Sequence, residues 1–224
     1  MTITPEAVAA RAAEVRRRIA AAGGDPDAIR IVAVTKGFGA DAVRAAHAAD
    51  LVDVGENYAQ ELVAKAGEVG GLAGLRWHFL GDVQRNKVPA LGPLVTVWQS
   101  VDRAEEAAAI ARTGAGATVL VQVNLSGEQQ KQGCRFADLD DVIAGVRAEG
   151  LDVAGLMGVG PAGPPELARP HFAALAAAAR TRGLAEVSMG MTADLEVAVQ
   201  EGATIVRVGT ALFGPRPRPS HMRR

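Results

Sequence analysis

Residues 31–54, IVAVTKGFGADAVRAAHAADLVDV, carry the pattern that decides the architecture of this chain. Two short runs rich in Val and Ile, 31–35 and 51–54, flank a stretch at 39–49 whose apolar residues recur at helical spacing. Both runs are mostly apolar on both faces, as strands are in a parallel sheet that helices cover. The segment therefore predicts a strand–helix–strand unit with parallel strands.

The same alternation continues along the chain. Further strands are predicted at 76–80, 94–98, 118–123, 153–157, 186–189 and 204–208, and further helices at 57–69, 102–112, 137–149, 165–182 and 192–201. Eight alternations in about 190 residues favour an α/β fold with a single (β/α)8 TIM barrel. A doubly wound open sheet is the alternative, because periodicity does not show whether a sheet closes.

The two ends of the chain differ from its middle. An extra amphipathic helix is predicted over 5–22, since Thr4-Pro5 marks a helix start and Gly23-Gly24 a helix end. No break in composition divides residues 1–214, so we expect one domain there. The tail 215–224, PRPRPSHMRR, has nothing to bury and is expected to be disordered.

Composition argues against several classes of protein. The 224 residues carry a formal net charge of −1, which argues against nucleic acid or an anionic membrane as the main partner. No apolar run reaches the roughly 18 residues that a membrane span needs. The single cysteine excludes an internal disulfide and a multi-cysteine zinc site, and it fits a cytoplasmic location. The 4 histidines lack metal-binding spacing.

Two further features are interpreted as structural. Residues 158–163 spell GxGxxG, but Pro161 and the prolines after it prevent a helix from opening within the glycines, so we expect a βα loop and no dinucleotide site. Cys134 lacks the basic neighbours of a nucleophile and is expected to be structural. We assign no catalytic residue.

Lysine is scarce in this chain, since of the 24 Lys and Arg residues only Lys36, Lys65, Lys87 and Lys131 are lysine. Lys36 ends the first strand, and functional residues of a barrel lie at the C-terminal ends of its strands. An amine held against apolar walls loses its proton more readily and can form a Schiff base with an aldehyde. A lysine that extends to solvent at the barrel rim is the alternative.

The last two strands carry a second signal. Hydroxyl-bearing residues, glycine and one arginine follow or end these strands, at Ser188, Thr192, Arg207, Gly209 and Thr210. Barrels commonly bind phosphate between these two loops, although Thr192 also suits a helix N-cap. A closed barrel sets strand eight beside strand one, so a Schiff-base lysine next to a phosphate site predicts pyridoxal 5′-phosphate. Asn57 and His78 are further pocket candidates, whereas Trp77 and Phe79 suit the core.

Several segments occur in an order typical of one family. They are AVTK (33–36), GENY (55–58), RWHFLG (76–81), QRNK (84–87), SVDR (100–103), VQVNLS (121–126), GLMG (155–158), SMGMTAD (188–194) and VRVGTALFG (206–214). Together they resemble the YggS/PROSC family of pyridoxal phosphate homeostasis proteins across nearly the whole chain. The resemblance implies a monomeric barrel like the N-terminal domain of alanine racemase, with the cofactor on the strand-one lysine.

The resemblance also implies which residues bind the cofactor. They are Lys36, Asn57, Ser188, Thr192, Arg207, Gly209 and Thr210. In that scheme Lys36 forms the Schiff base, Ser188 and Thr192 lie near the phosphate, and Arg207 faces the pyridine nitrogen. The chain departs from the family in having Gly37 after the lysine and Thr192 where a serine is usual, and threonine keeps the hydroxyl.

Arg207 bears on what the bound cofactor can do. An arginine keeps its own proton and leaves the pyridine nitrogen unprotonated, which weakens the ring as an electron sink. Racemisation also needs a second base, and Tyr58 is the only tyrosine. We therefore expect a protein of vitamin B6 homeostasis that is not an enzyme, with apo-enzymes that use this cofactor as candidate partners. A racemase-like enzyme and a Schiff-base aldolase barrel are the alternatives.

Overall fold

The computed structural model describes residues 3–114, 116–128 and 131–216. Within them, eight parallel strands form a closed barrel in chain order, and the last strand pairs with the first. The strands are β1 (Arg30–Val34), β2 (Asp53–Glu56), β3 (Arg76–Phe79), β4 (Val95–Val101), β5 (Thr118–Val123), β6 (Asp152–Gly158), β7 (Glu186–Ser188) and β8 (Ile205–Val208). Closure confirms the predicted (β/α)8 TIM barrel and rules out the open sheet.

Helices surround the barrel. They are α1 (Pro5–Ala21), α2 (Ala40–Ala48), α3 (Ala59–Val69), α4 (Val88–Leu91), α5 (Ala104–Ala111), α6 (Leu139–Ala148), α7 (Arg169–Thr181), α8 (Leu195–Gln200) and α9 (Thr210–Phe213). The sequence pattern sets no bounds for α4 and α9, because four residues are too few to show helical periodicity.

Most element boundaries differ from the predicted ranges by one or more residues, and two of these differences have a clear local reason. Strand β2 begins at Asp53 and not at 51, because the Leu51 N–H still donates to the Ala46 carbonyl in the turn that ends α2. Helix α8 begins at Leu195 and not at 192, because the Asp194 carboxylate accepts the main-chain N–H of Met191 and closes a turn before the helix.

The predicted extra helix at the N-terminus is confirmed as α1. Thr4 Oγ1 accepts the Ala7 N–H at its start, as expected of an N-cap. Helix α1 packs against α2, α8 and α9. Its Arg18 donates to both carboxylate oxygens of Glu196 and to the Thr192 carbonyl, so α1 stabilises the loop that follows β7.

The core has two parts. Most buried apolar residues, Trp77 and Phe79 among them, form one large cluster, as the sequence predicted for these two aromatics. A small second cluster, contributed by five strands, fills the inside of the barrel: Val32, Val97, Leu120, Met157 and Ile205. Buried polar side chains share that interior, and they become important at the site.

The structure agrees with the structural interpretation of residues 158–163 and of Cys134. Strand β6 ends at Gly158 and α7 begins only at Arg169, so no α-helix opens within residues 158–163. Cys134 is buried, and burial raises the pKa of its thiol to about 12, which keeps it protonated. In the part of the chain that the structure describes, no helix has the length and apolar character to cross a membrane.

Candidate functional site

A cavity of about 340 Å³ opens at the C-terminal end of the barrel. Its walls come from strand ends and loops around much of the ring: Val34, Lys36, Phe38, Asn57, Leu80, Met157, Val159, Met191, Thr192, Ala193, Arg207, Gly209, Thr210 and Arg216. Strands β1 and β8 pair with Val32 opposite Arg207, which brings the loop of Lys36 beside the last strand. The volume is in the range of about 300–1,000 Å³ that is typical of small-molecule sites.

Six of the seven sequence-predicted residues line this cavity, and Ser188 does not. Ser188 is fully buried below it, where its hydroxyl accepts from Arg207 and donates to Gln99. The expected contact between Ser188 and a phosphate therefore finds no support in this geometry, because that hydroxyl is already engaged inside the barrel. His78 is also buried in the interior and lies outside the described lining.

Lys36 follows the end of β1 and is partly buried. Burial is the main cause that lowers the pKa of its amine, and the nearby charges of Arg216 and Arg207 lower it further, while Glu56 acts in the opposite direction. A lowered pKa increases the fraction of neutral amine, which is the nucleophilic form. The surroundings of Lys36 thus favour attack on a carbonyl carbon.

A buried ionic cluster supports the strand end that carries Lys36. Lys65, on α3, donates to Glu56 Oε1 at 2.6 Å, to Glu61 Oε2 at 3.0 Å and to the Thr35 carbonyl at 2.8 Å. Glu61 also accepts the main-chain N–H of Gly37 at 2.8 Å. The residues on both sides of Lys36 are therefore held by the same cluster.

Gly37 allows this arrangement, because its φ of +76° lies in the left-handed region that glycine adopts without strain. A side chain at this position would also approach Arg216, whose Cδ lies 3.2 Å from an ideal Cβ. The glycine at residue 37 thus has a conformational reason in this chain.

Arg207, on β8, is a buried cation in the floor of the cavity. Its Nη1 donates to Ser188 Oγ at 2.7 Å and its Nη2 to the Gly158 carbonyl at 2.8 Å. Burial lowers the pKa of the guanidinium to about 10, with Asp194 acting against this shift. The group therefore stays protonated at neutral pH.

The loops after β7 and β8 are tied together beside Arg207. The Ala211 N–H donates to Thr192 Oγ1 at 3.3 Å, so Thr192 links the β7 loop to α9. The alternative role of Thr192 as the N-cap of the following helix is wrong, because α8 begins three residues later, at Leu195. Asp194, which precedes α8, contacts the loop through Met191.

The charges around the cavity suit a small anion. The described lining contains three basic side chains, Lys36, Arg207 and Arg216, and no carboxylate. Arg216 belongs to the segment that was expected to be a disordered tail, yet it is described and lines the cavity, whereas 217–224 lie outside the described residues. Asn57 Oδ1 is buried and has no hydrogen-bond partner among the described residues, so it can accept a bond from a ligand.

A larger groove of about 700 Å³ lies over the ends of β4 and β5. Five acidic and three basic side chains line it: Asp82, Asp102, Glu105, Asp138, Asp141, Arg103, Lys131 and Arg135. This excess of negative charge disfavours an anionic ligand, so the smaller cavity is the better candidate site although the groove has the larger volume.

Sequence reasoning missed several residues that support the site. Lys65 and Glu56 hold the Lys36 strand end, and Gln99 lies behind Ser188. For Glu56 and Gln99 the signal is a polar residue within a mostly apolar strand, which a covered barrel tolerates only where the group has a partner. Lys65 lies on helix α3 and carries no such signal. Their partners are distant in sequence, so the pattern alone does not identify them.

Comparisons with known proteins agree with this geometry. Residues 3–217 match the family model of the alanine racemase N-terminal domain. The chain is 42% identical to a pyridoxal phosphate homeostasis protein of Pseudomonas aeruginosa, over 96% of this chain and 97% of that protein. It is also 42% identical to a protein of the same name from Deinococcus radiodurans, over 90% of this chain and 96% of that protein.

A solved structure gives the same result at the level of the fold. PipY of Synechococcus elongatus, with pyridoxal phosphate bound, superposes with a TM-score of 0.76 at 32% identity, over 89% of this chain and 100% of that one. Sequence and fold therefore match over nearly the whole length, and the chain belongs to the family of pyridoxal phosphate homeostasis proteins, built on the fold of the alanine racemase N-terminal domain.

Proposed function

We propose that this protein holds pyridoxal 5′-phosphate as a Schiff base on Lys36 and acts in the homeostasis and carriage of that cofactor without robust catalytic turnover. The observation that carries the proposal is one cavity whose described lining joins the Lys36 amine, the Arg207 guanidinium and no carboxylate. The names of the relatives and the cofactor in PipY support the same ligand.

The residues of the cavity fit this cofactor. Its phosphate is an anion, and three basic side chains line the described walls. Its ring carries polar substituents, and Asn57 Oδ1 is a buried acceptor with no partner among the described residues. We assign the phosphate end to Thr192, Gly209 and Thr210, which lie together where the β7 and β8 loops meet.

Lys36 would act as the nucleophile. Burial lowers the pKa of its amine, so more of it is neutral at a given pH, and Nζ can form a C=N bond with an aldehyde carbon while water leaves. The cluster around Lys65 holds the peptide groups before and after Lys36, which limits the positions that Nζ can take.

Arg207 would limit the chemistry. When bound, the cofactor supplies an aldehyde carbon and an electron-accepting ring. Arg207 donates and cannot accept a hydrogen bond, so a pyridine nitrogen that faces it stays unprotonated and the ring withdraws electrons less strongly. Tyr58 is 58% exposed and lines a neighbouring recess with Gln84 and Lys87, so it does not supply a second base within the described lining.

This function makes the protein a reservoir or donor of cofactor. Apo-enzymes that need pyridoxal 5′-phosphate would be its partners, and a monomer is sufficient because the cavity is formed by one chain. The single cysteine accords with a cytoplasmic location.

Labelling of Lys36 tests the proposal. The protein loaded with pyridoxal 5′-phosphate should absorb in the visible range, and borohydride should remove that band and leave the cofactor on the peptide that contains Lys36, as identified by mass spectrometry. The Lys36→Ala variant should carry no label, while Lys131→Ala, at a lysine paired with Glu128 on the surface, should be labelled like the wild type. A label on a different lysine would contradict the proposal.

A second experiment tests the absence of turnover. The loaded protein is incubated with L- and D-amino acids, and racemisation and deamination are compared with those of free cofactor at equal concentration. We expect no excess over free cofactor, and we expect transfer to an apo-enzyme to be measurable. Robust turnover would favour the racemase-like alternative.

A further inference from the structure

A continuous series of side-chain hydrogen bonds crosses the barrel interior beneath the cavity. Arg207 Nη1 donates to Ser188 Oγ at 2.7 Å, and Ser188 Oγ donates to Gln99 Oε1 at 2.7 Å. Gln99 Nε2 lies 2.7 Å from His78 Nδ1, and His78 Nε2 lies 2.8 Å from Asp53 Oδ1. All five residues are buried, and we call them the relay.

The relay connects the two ends of the barrel. Its residues lie on β8, β7, β4, β3 and β2, and Asp53 is the first residue of its strand, at the end opposite the cavity. There Asp53 accepts a bond from the partly exposed Arg76 at 2.6 Å. Neither Gln99 nor His78 lines the cavity, so direct contact with a ligand does not explain these two residues.

The bonding capacity of each group fixes the direction of the relay. A guanidinium only donates, so Ser188 Oγ accepts from Arg207 and sends its one proton to Gln99 Oε1. The Gln99 amide nitrogen then faces His78 Nδ1, which accepts and carries no proton. The proton of the neutral ring is on Nε2, which donates to Asp53. Burial lowers the pKa of His78, in agreement with a neutral ring.

We propose that Gln99 and His78 are positioning residues for Arg207, a role that rests on the proposed cofactor site. The hydroxyl of Ser188 can rotate, and it presents a lone pair to Arg207 only while Gln99 Oε1 holds its proton. His78, fixed by its bond to Asp53, keeps the Gln99 amide from flipping. Each residue of the relay thus fixes the orientation of the next.

The position of Arg207 depends on this support because its charge is buried. A buried cation needs acceptors at fixed places, and among the described residues Arg207 has two, the Ser188 hydroxyl and the Gly158 carbonyl. The carbonyl is held by strand β6, whereas the hydroxyl has no fixed orientation of its own. The relay supplies that orientation and holds the guanidinium in the floor of the cavity, where a bound ring nitrogen would face it.

Two variants at one position test the proposal. Gln99→Met keeps the volume but removes the acceptor for Ser188, whereas Gln99→Glu keeps that acceptor and turns a second oxygen toward His78 Nδ1. Gln122→Met is the matched control, since Gln122 is a buried glutamine on the neighbouring strand β5 and lies outside the relay. The side-chain ¹⁵N resonances of Arg207 and His78 are recorded in the cofactor-free proteins, and the affinity for pyridoxal 5′-phosphate is measured separately.

The expected results differ between the variants. In the wild type, Arg207 should show separate, slowly exchanging Nη signals, and His78 should carry its proton on Nε2. Gln99→Met should average the Arg207 signals and weaken cofactor binding about tenfold, as for loss of a hydrogen bond to a charged group. Gln99→Glu should keep the Arg207 signals and place protons on both nitrogens of His78. If Gln99 served stability alone, Gln99→Glu would not keep the Arg207 signals that Gln99→Met averages.

The outcomes separate the relay from the cofactor site. Arg207 signals that are unchanged in Gln99→Met, or a wild-type His78 protonated on Nδ1, would overturn the relay even where Lys36 is labelled by borohydride. Absence of the Lys36 label in the wild type would overturn the cofactor site, and the cofactor-free spectra would still decide whether the relay holds Arg207. Should Gln99→Met fail to fold, the wild-type tautomer and Gln99→Glu remain decisive.

Discussion

Strand β2 buries a carboxylate at each end, Asp53 at the N-terminal end and Glu56 at the end beneath the cavity, and the two have different surroundings. Burial favours a raised pKa at Asp53, but hydrogen bonds from His78 and Arg76 outweigh it and hold the pKa below its usual value. At Glu56 burial prevails, and the pKa is raised although Lys65 donates to this carboxylate.

Each carboxylate accepts two side-chain hydrogen bonds, and the difference lies in how those bonds are distributed over its two oxygens, since Thr35 and Lys65 both donate to Glu56 Oε1. Asp53 accepts bonds at both oxygens, whereas Glu56 Oε2 is buried and has no partner among the described residues. A carboxylate that stays ionised is a fixed anchor, which suits Asp53 at the end of the relay. A carboxylate that protonates more readily can alter the charge near Lys36, whose pKa Glu56 influences. At the N-terminal end of β2, Asp53 therefore fixes the orientation of His78, and at the other end Glu56 adjusts the charge near Lys36.

Removal of Lys65 should disrupt the ionic cluster at the Glu56 end of β2, and it should give the largest loss of unfolding free energy. The Lys65→Met variant leaves Glu56 without its ionic partner in a fully buried position, and loss of one partner of a buried pair costs about 3–5 kcal/mol of unfolding free energy. Because Glu56 can escape the penalty by taking a proton, the loss should be smaller at pH 5 than at pH 8. Chemical denaturation at the two pH values measures both quantities.

Lys131→Met is the control for that experiment. Lys131 also pairs with a glutamate, but its side chain is 42% exposed, and such a pair contributes little to stability. A loss in Lys65→Met no greater than in Lys131→Met would show that the cluster does not support the Lys36 strand end.

The Asp53→Asn variant should weaken the hydrogen bonds at the N-terminal end of β2, with a smaller loss of unfolding free energy. It removes the negative charge of the carboxylate that accepts hydrogen bonds from His78 and Arg76. Hydrogen bonds to charged groups contribute about 1.5–3 kcal/mol to stability. Since the folded pKa of Asp53 is lowered, its contribution is present above the unfolded value of about 3.9 and is lost as the pH falls through the folded value. The destabilisation should therefore be full at pH 7 and decline in acid.

The pH dependence of unfolding in the two proteins checks this prediction. Asp152→Asn is a matched control, because Asp152 also begins a strand, β6, but is exposed. A constant difference between wild type and Asp53→Asn from pH 7 to acid would contradict an ionised anchor at this position.

Much of the fold could be predicted because each strand and helix carries its own pattern. Strand β5 lies at the predicted residues, 118–123, since its apolar run has sharp ends. Six predicted site residues meet in one cavity for a topological reason, because the loops after all strands of a barrel open at the same end. The predicted series of strands and loops was therefore sufficient to bring these six residues together.

The supports of the site could not be predicted in the same way. Gln99 and Ser188 are 89 residues apart and meet only because of the register and closure of the barrel, which periodicity does not encode. Lys65 appeared in the sequence as one of four lysines on an amphipathic helix, with no sign that it would enter a buried cluster. Ser188 is predicted near the ligand because it ends a strand at the cavity end of the barrel, whereas its hydroxyl bonds to Gln99 and Arg207 in the interior.

The smallest predicted effect concerns the pKa of Lys36 and sharpens the role of Glu56 as a group that adjusts charge. Glu56 raises this pKa and Arg216 lowers it, while burial is the largest cause of the net decrease. Glu56→Gln should therefore move the titration of Lys36 to lower pH, and Arg216→Gln should move it to higher pH. Because the chain has four lysines, an NMR titration of their side chains in the cofactor-free protein resolves Lys36 directly. Arg17→Gln, at a side chain that is 69% exposed on α1, should leave the titration unchanged, and displacements of the same sign in the first two variants would contradict the electrostatic assignment.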